Sequence, residues 1–325
     1  MYKFAGRREL IELEVSGGCV RGTVHHPWGA KRDAAGETGH GGVAVLILNS
    51  LALPRAATGD SAVYWAESIA ASGYPAIRID LPGLGDSDGD ASTNLLDVIN
   101  SGTFAPAVAA IEKQLMKRNN YSGFVIMGHC AGSVTAIYSA AVSKQCNGLI
   151  LMEPYFYLPV AKRSGMREHM SGFARSSKAG RILSNIYDQV KQLKLALREG
   201  TLPGNANVPL LNHWKHLAST GLPIMLLKAP GIKATGAKPR TGEFDYMQHV
   251  MKLAGRKSQV VLSAIEGADH SFASRDGREA ISMSIEIWMK MHFPLASAGR
   301  SLQSAPHEKA VDRQRPLEKV LVQPA

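Results

Sequence analysis

Six consecutive residues constrain this chain more than any other segment: Gly128-His129-Cys130-Ala131-Gly132-Ser133. The apolar run Gly123-Phe124-Val125-Ile126-Met127 precedes them and reads as a short buried strand. The stretch Val134 to Val142 follows and reads as a buried helix. A strand that turns straight into a helix closes around the residues two before and two after the turn, so both must be small. Gly128 and Gly132 meet that demand. The central residue, Cys130, is then held in strained, exposed backbone over the first turn of the helix. Free N–H groups and the positive end of the helix dipole meet there, an arrangement that favours an anionic sulfur. The plainer alternative is a structural cysteine at a tight turn, since free Cys often serves as a small apolar residue.

Short apolar runs recur along the chain. They are Val43 to Leu48, Ala76 to Ile79, Phe124 to Met127, Leu149 to Met152, Ile224 to Leu227 and Val260 to Leu262. Helical patterns separate them, among them Ala62 to Ser72 and Pro106 to Lys117. This alternation predicts an α/β fold with a mostly parallel sheet covered on both faces. Ile11 to Val15 and Arg21 to His25, separated by Gly17-Gly18, predict an antiparallel hairpin at the sheet edge.

A Cys at such a turn works with a base and an acid that orients it. Gly267-Ala268-Asp269-His270 follows the last strand-like run and precedes an amphipathic stretch, Arg278 to Met291. His270 is the expected base, whereas His129, adjacent to the turn, is expected to pack. Two places can host the acid. Glu153 ends the run Leu149 to Met152, and Asp245, with Glu243, follows the run Ile224 to Leu227 after a loop rich in Gly, Pro and Lys. Expected oxyanion donors are the N–H of Ala131 and a backbone N–H of Ser50 or Leu51.

Four segments together resemble the α/β-hydrolase superfamily over roughly residues 10 to 295: Leu81-Pro82-Gly83-Leu84-Gly85-Asp86-Ser87-Asp88-Gly89, the hexapeptide above, Leu151-Met152-Glu153-Pro154 and Gly267-Ala268-Asp269-His270. The segments Gly128 to Ser133 and Leu149 to Pro154 also resemble thioesterases of polyketide and peptide synthesis. In those an acid after this same strand serves the triad, which implies Glu153. The turn at Asp80 to Ser87 is similar to that of exosortase-associated hydrolases. The chain departs from the superfamily pattern in three ways. The nucleophile position holds Cys, the oxyanion loop reads Asn49-Ser50-Leu51-Ala52-Leu53, and Lys228-Ala229-Pro230-Gly231-Ile232-Lys233 carries no acid where the superfamily often has one.

The resemblance implies a cysteine-dependent hydrolase that cleaves or transfers an activated acyl group, with a thioester as the expected substrate. An ester or lactone hydrolase and a non-catalytic module that docks an acidic carrier protein are the alternatives. The division expected is a core over 1–154, a helical cap over 155–220, a second core part over 221–295 and a flexible tail over 296–325. The cap carries ten basic residues against three acidic ones, most of the chain's formal +10, and includes a helical pattern from Ile182 to Arg198. Such charge suits an acyl carrier protein or coenzyme A, and contact with a membrane surface is a further option. No nucleic-acid motif and no Cys/His zinc spacing is evident, so neither a nucleic-acid partner nor a metal or other cofactor is expected. Three cysteines in 325 residues, with no apolar leader over Met1 to Arg8, predict a reducing, cytoplasmic setting. The oligomeric state is not written in the sequence.

Overall fold

The computed structural model describes residues 6–16, 18–28, 42–158, 202–229 and 244–295. Its strands are β1 (Arg8–Val15), β2 (Gly18–His25), β3 (Val43–Ile47), β4 (Ala76–Ile79), β5 (Gly123–His129), β6 (Cys146–Met152), β7 (Ile224–Lys228) and β8 (Val260–Ala264). They form one sheet in the order β1-β2-β4-β3-β5-β6-β7-β8. Strand β2 pairs antiparallel with β1 and β4, and every other pairing is parallel. The helices are α1 (Ser61–Ala71), α2 (Leu95–Asn100), α3 (Ala105–Asn119), α4 (Ala131–Val142), α5 (Val208–Ser219), α6 (Tyr246–Ala254) and α7 (Arg275–His292).

The period of two along each strand divides the core. Phe124, Ile126, Leu149, Leu151 and Leu226 join the core on the face of α2 to α6. Val125, Met127, Ile150, Met152 and Leu227 join Trp65 of α1 and Ile281, Ile285 and Trp288 of α7 on the other face. All five residues from Phe124 to Gly128 are buried, which is why the run reads as unbroken apolar sequence rather than as alternation. Each fully buried aliphatic side chain in these layers contributes roughly 1.5–3 kcal/mol of transfer free energy.

Six of the eight strands extend beyond the apolar runs that announce them, β4 matches its run, and β3 stops one residue short of Leu48. Strand β5 reaches His129 and α4 begins at Ala131, so Cys130 alone forms the turn between them. The region expected as a cap, 155–220, divides in the structure. Residues 202–220 include α5, whose Leu210, Leu211, Trp214 and Leu217 are buried in the main core. That helix is therefore core and not lid; its Asn207 side chain caps it by accepting from the Leu210 N–H at 3.2 Å. The helical pattern from Ile182 to Arg198 and the tail over 296–325 lie outside the described residues. Among the described residues no helix is long and apolar enough to cross a membrane.

Candidate active site

The turn between β5 and α4 shows why its glycines are glycines. A Cβ on Gly128 would stand 2.2 Å from the Gly132 carbonyl, and one on Gly132 would stand 2.6 Å from the Asn49 carbonyl oxygen. Between them Cys130 adopts φ 52°, ψ −113°, a region L-residues avoid. The strain is held by hydrogen bonds from both sides. The Cys130 N–H donates to the Met152 carbonyl at 2.8 Å, and the buried Ser133 hydroxyl reaches the Gly128 carbonyl at 2.7 Å and that of Met152 at 3.0 Å. Cys130 is partly exposed and free of any disulfide.

His270 lies on the loop between β8 and α7. Its Nδ1 is 3.6 Å from Glu153 Oε2, which is ion-pair range. Hydrogen bonding to Cys130, and next to Glu153, pushes the imidazole pKa up to about 10 against a smaller opposing effect of burial. Glu153 is itself clamped. Its backbone has φ 48°, its N–H donates to the Leu227 carbonyl at 2.8 Å, and its Oε1 accepts from the Ala229 N–H. One carboxylate oxygen is thus held by the end of β7 while the other faces the imidazole.

Asp245, the other acid singled out, sits elsewhere. It is the N-cap of α6, and its Oδ1 accepts from the Gln248 N–H at 3.0 Å. Glu243 lies outside the described residues. The ring of His129 packs against Trp65, Phe272 and His270, with centroid distances of 6.5, 5.8 and 5.2 Å. It also does something the sequence did not announce: its Nε2–H donates to the His270 carbonyl at 2.7 Å, tying the base's own loop to the elbow. Burial lowers the His129 pKa and keeps the ring neutral. The same loop is shaped by Asp269, whose Oδ1 accepts from the Ser271 N–H at 3.0 Å and its hydroxyl at 2.6 Å.

The candidate oxyanion donors lie on two segments that meet at the elbow, the start of α4 and the loop after β3. Ala131 opens α4, so its N–H has no intrahelical acceptor. Ser50 and Leu51 lie on the loop after β3, whose Asn49 carbonyl faces Gly132. Leu51 has φ 52°. A fully buried carboxylate at the end of β4 anchors this loop. Asp80 accepts from Asn49 Nδ2 at 2.8 Å, from the Arg55 N–H at 2.6 Å, from Arg55 Nη1 and from the Asp86 N–H at 3.1 Å. Asn49 completes the tie by accepting from the Leu81 N–H at 2.7 Å. Sequence reasoning missed Asp80, Asn49 and Arg55. The available signal was Gly85, whose Cβ would fall 2.3 Å from the Asp80 carboxyl carbon.

Four non-glycine residues with positive φ, Leu51, Cys130, Glu153 and Phe272, follow β3, β5, β6 and β8 respectively. These are loops at the C-terminal ends of parallel strands, where sites of open α/β sheets form, and stored backbone strain gathers at such sites. Leu48, Ser50, Trp65, Gly128 and His129 line a small cleft beside the elbow. Among the described residues no three His, Cys, Asp or Glu side chains converge as a metal ion would require. The arrangement can perform nucleophilic attack, proton transfer and oxyanion stabilisation at one centre.

Comparison with known proteins agrees with this architecture. A family model of the alpha/beta hydrolase fold matches residues 43–267. No curated protein matches the chain in sequence. Among solved structures, the chain is similar to the esterase PF2001 of Pyrococcus furiosus, with a TM-score of 0.56 and 15% identity over 89% of this chain and 92% of the esterase. It is similar to the alpha/beta hydrolase GrgF of Penicillium sp. sh18, with a TM-score of 0.55 and 15% identity over 88% and 99% of the two chains. It is also similar to Est1E of Butyrivibrio proteoclasticus, solved with ferulic acid, with a TM-score of 0.53 and 13% identity over 87% and 98%. At these identities the likeness is one of fold.

Proposed function

This chain belongs to the α/β-hydrolase fold family, and on that premise we propose that it is a cysteine-dependent acyl hydrolase or acyl transferase acting on a thioester. The observation that carries the reading is the strained Cys130 with His270 beside it and Glu153 behind His270. Cys130 Sγ attacks the carbonyl carbon, and the oxyanion is met by the Ala131 N–H and an N–H of Ser50 or Leu51. The imidazolium of His270 delivers its proton to the departing thiol as the carbon–sulfur bond breaks. Water, or another acceptor, then attacks the acyl-enzyme with His270 as base. Glu153 fixes the imidazole tautomer throughout.

A sulfur nucleophile suits a thioester because the exchange of one thioester for another is nearly balanced in energy. The ten basic residues against three acidic ones in 155–220 support a donor borne by an acidic acyl carrier protein or coenzyme A. The esterase among the similar structures favours a second reading, oxygen-ester or lactone hydrolysis through the same centre.

The test is intact-protein mass after incubation with matched acyl thioesters and oxygen esters, for wild type, Cys130→Ala and His270→Ala. The expected outcome is an acyl adduct on the wild type with thioesters, absent from Cys130→Ala and long-lived in His270→Ala. Adducts formed only with oxygen esters would favour the second reading. Neither adduct nor turnover with any donor would overturn both.

A further inference from the structure

The two outer strands of the sheet are built differently. Strand β1 carries Arg8, Glu9, Glu12 and Glu14. Charge along an outer strand guards it against pairing with another chain. Strand β8, Val260-Val261-Leu262-Ser263-Ala264, has no charge and no proline. Among the described residues it pairs with β7 alone, so the N–H and C=O groups of its outer edge meet no strand. Val261 is 46% exposed and Leu262 41%. Helix α7 adds an apolar stripe. It buries Ile281, Ile285, Trp288 and Met289 but leaves Met283, Ile287 and Met291 each at least 60% exposed. A spacing of four sets these three on one side of the helix.

The neighbours of α7 give the direction of that stripe. Arg278 turns toward α1: its Nη1 donates to the Gly59 carbonyl at 3.0 Å, and its guanidinium lies 5.7 Å from the Tyr64 ring centroid. Ile287 stands about two and a half helical turns further on, hence on the opposite side of α7. Helix α1 packs on β2, β3 and β4, whereas Trp288 of α7 lies over Gly148 of β6. Away from α1 along the sheet is therefore toward β7 and β8. Val261 shares this face, because it pairs with Met225, whose side chain joins the α7 layer.

We infer that the β8–α7 edge docks a second copy of this chain about a two-fold axis, with β8 antiparallel to β8 and α7 against α7. A two-fold contact requires a surface that matches itself, and this one does so twice. Arg256 and Lys257 precede β8 and Glu266 follows it, all three exposed. Antiparallel pairing sets the basic end of each strand at the acidic end of the other, whereas parallel pairing would set like charge on like. Met283 and Met291 are equally spaced on either side of Ile287, so antiparallel helices bring Ile287 to Ile287 and Met283 to Met291. A partner of different sequence would account for neither symmetry.

The test is sedimentation velocity of the full chain from about 0.1 to about 100 µM, because a dimer forms by mass action. The wild type is expected to sediment as a dimer at the upper end. Ile287→Glu buries a charge from each copy in the apolar seam and should raise the dissociation constant at least about 100-fold. Glu266→Lys sets like charges together at both ends of the paired strands and should raise it about tenfold. Adding Arg256→Glu and Lys257→Glu to Glu266→Lys reverses both signs and should return it to within about threefold of wild type. Far-UV circular dichroism shows whether each variant keeps its fold; should Ile287→Glu lose it, the charge variants decide. A monomer at every concentration overturns the interface. So does a dimer indifferent to these variants, which places the contact elsewhere. A series of ever larger assemblies also overturns it, as the mark of a head-to-tail contact that does not close. A triple variant no tighter than Glu266→Lys overturns the antiparallel pairing.

Discussion

At the scale of single residues the candidate site is a set of backbone positions that most side chains would refuse. Cys130 and Glu153 both carry positive φ, and each is pinned by a hydrogen bond from its own N–H to the neighbouring strand's end. After Cys130, the carboxylate of Glu153 is the next largest contributor to the raised proton affinity of His270. Replacing it by Gln keeps the shape and removes the charge. Because hydrogen bonding to Cys130 and to Glu153 raises His270 from 6.5 to about 10, Glu153→Gln should move the alkaline limb of kcat/KM to lower pH. The rate should fall by roughly 10²-fold, the scale of a general acid–base contribution. The same raised pKa means that the imidazolium stabilises the fold below pH 6.5 and that this contribution fades as pH rises through about 10. A pH–rate profile of the two proteins checks the first point. An unmoved alkaline limb would remove Glu153 from its role.

At the scale of elements, strand ends and helix starts decide which acid faces the base. The two acids read from the sequence both follow strands, yet their surroundings differ. Glu153 leaves β6 directly, next to the β5–α4 turn, and its carboxylate is received by the first residue after β7, Ala229. Asp245 has become a helix cap, satisfying an orphan N–H of α6. Asp245→Ala should therefore cost about 1 kcal/mol of stability, the usual worth of an N-cap, and leave kcat/KM within about twofold. Thermal denaturation and steady-state kinetics on one preparation check both halves. A rate loss like that of Glu153→Gln would place the orienting role on Asp245.

At the scale of the whole molecule, the sheet brings together loops separated by more than 200 residues in sequence, Ser50 and His270 among them. The apolar layers on its two faces hold the ends of β3, β5, β6 and β8 in register, and the buried Asp80 fixes the loop after β3. The positive excess belongs to 155–220. If that charge draws an anionic donor, KM for acyl-coenzyme A should rise several-fold between about 50 and 300 mM salt, while KM for an uncharged N-acetylcysteamine thioester stays level. Salt-dependent kinetics with the two donors decide it. Equal responses would place the basic excess outside substrate capture.

Local pattern was enough to announce the parallel α/β fold and the elbow. Apolar runs of strand length between amphipathic helices admit few other packings, and a glycine two residues on either side of Cys130 has a steric reason visible in the spacing alone. The position of His270 after the last strand followed from the same order of elements. The tertiary structure decided what depends on distance rather than order. It put Glu153 and not Asp245 against the imidazole, gave the packed ring of His129 a tie to the base's loop as well, drew α5 into the core, and gave Asp80 four donors from three residues. The physical reason is that strand and helix periodicity fixes which face a residue takes. Which carboxylate reaches which ring is fixed only when the sheet sets strand ends side by side, and no spacing along the chain encodes that proximity.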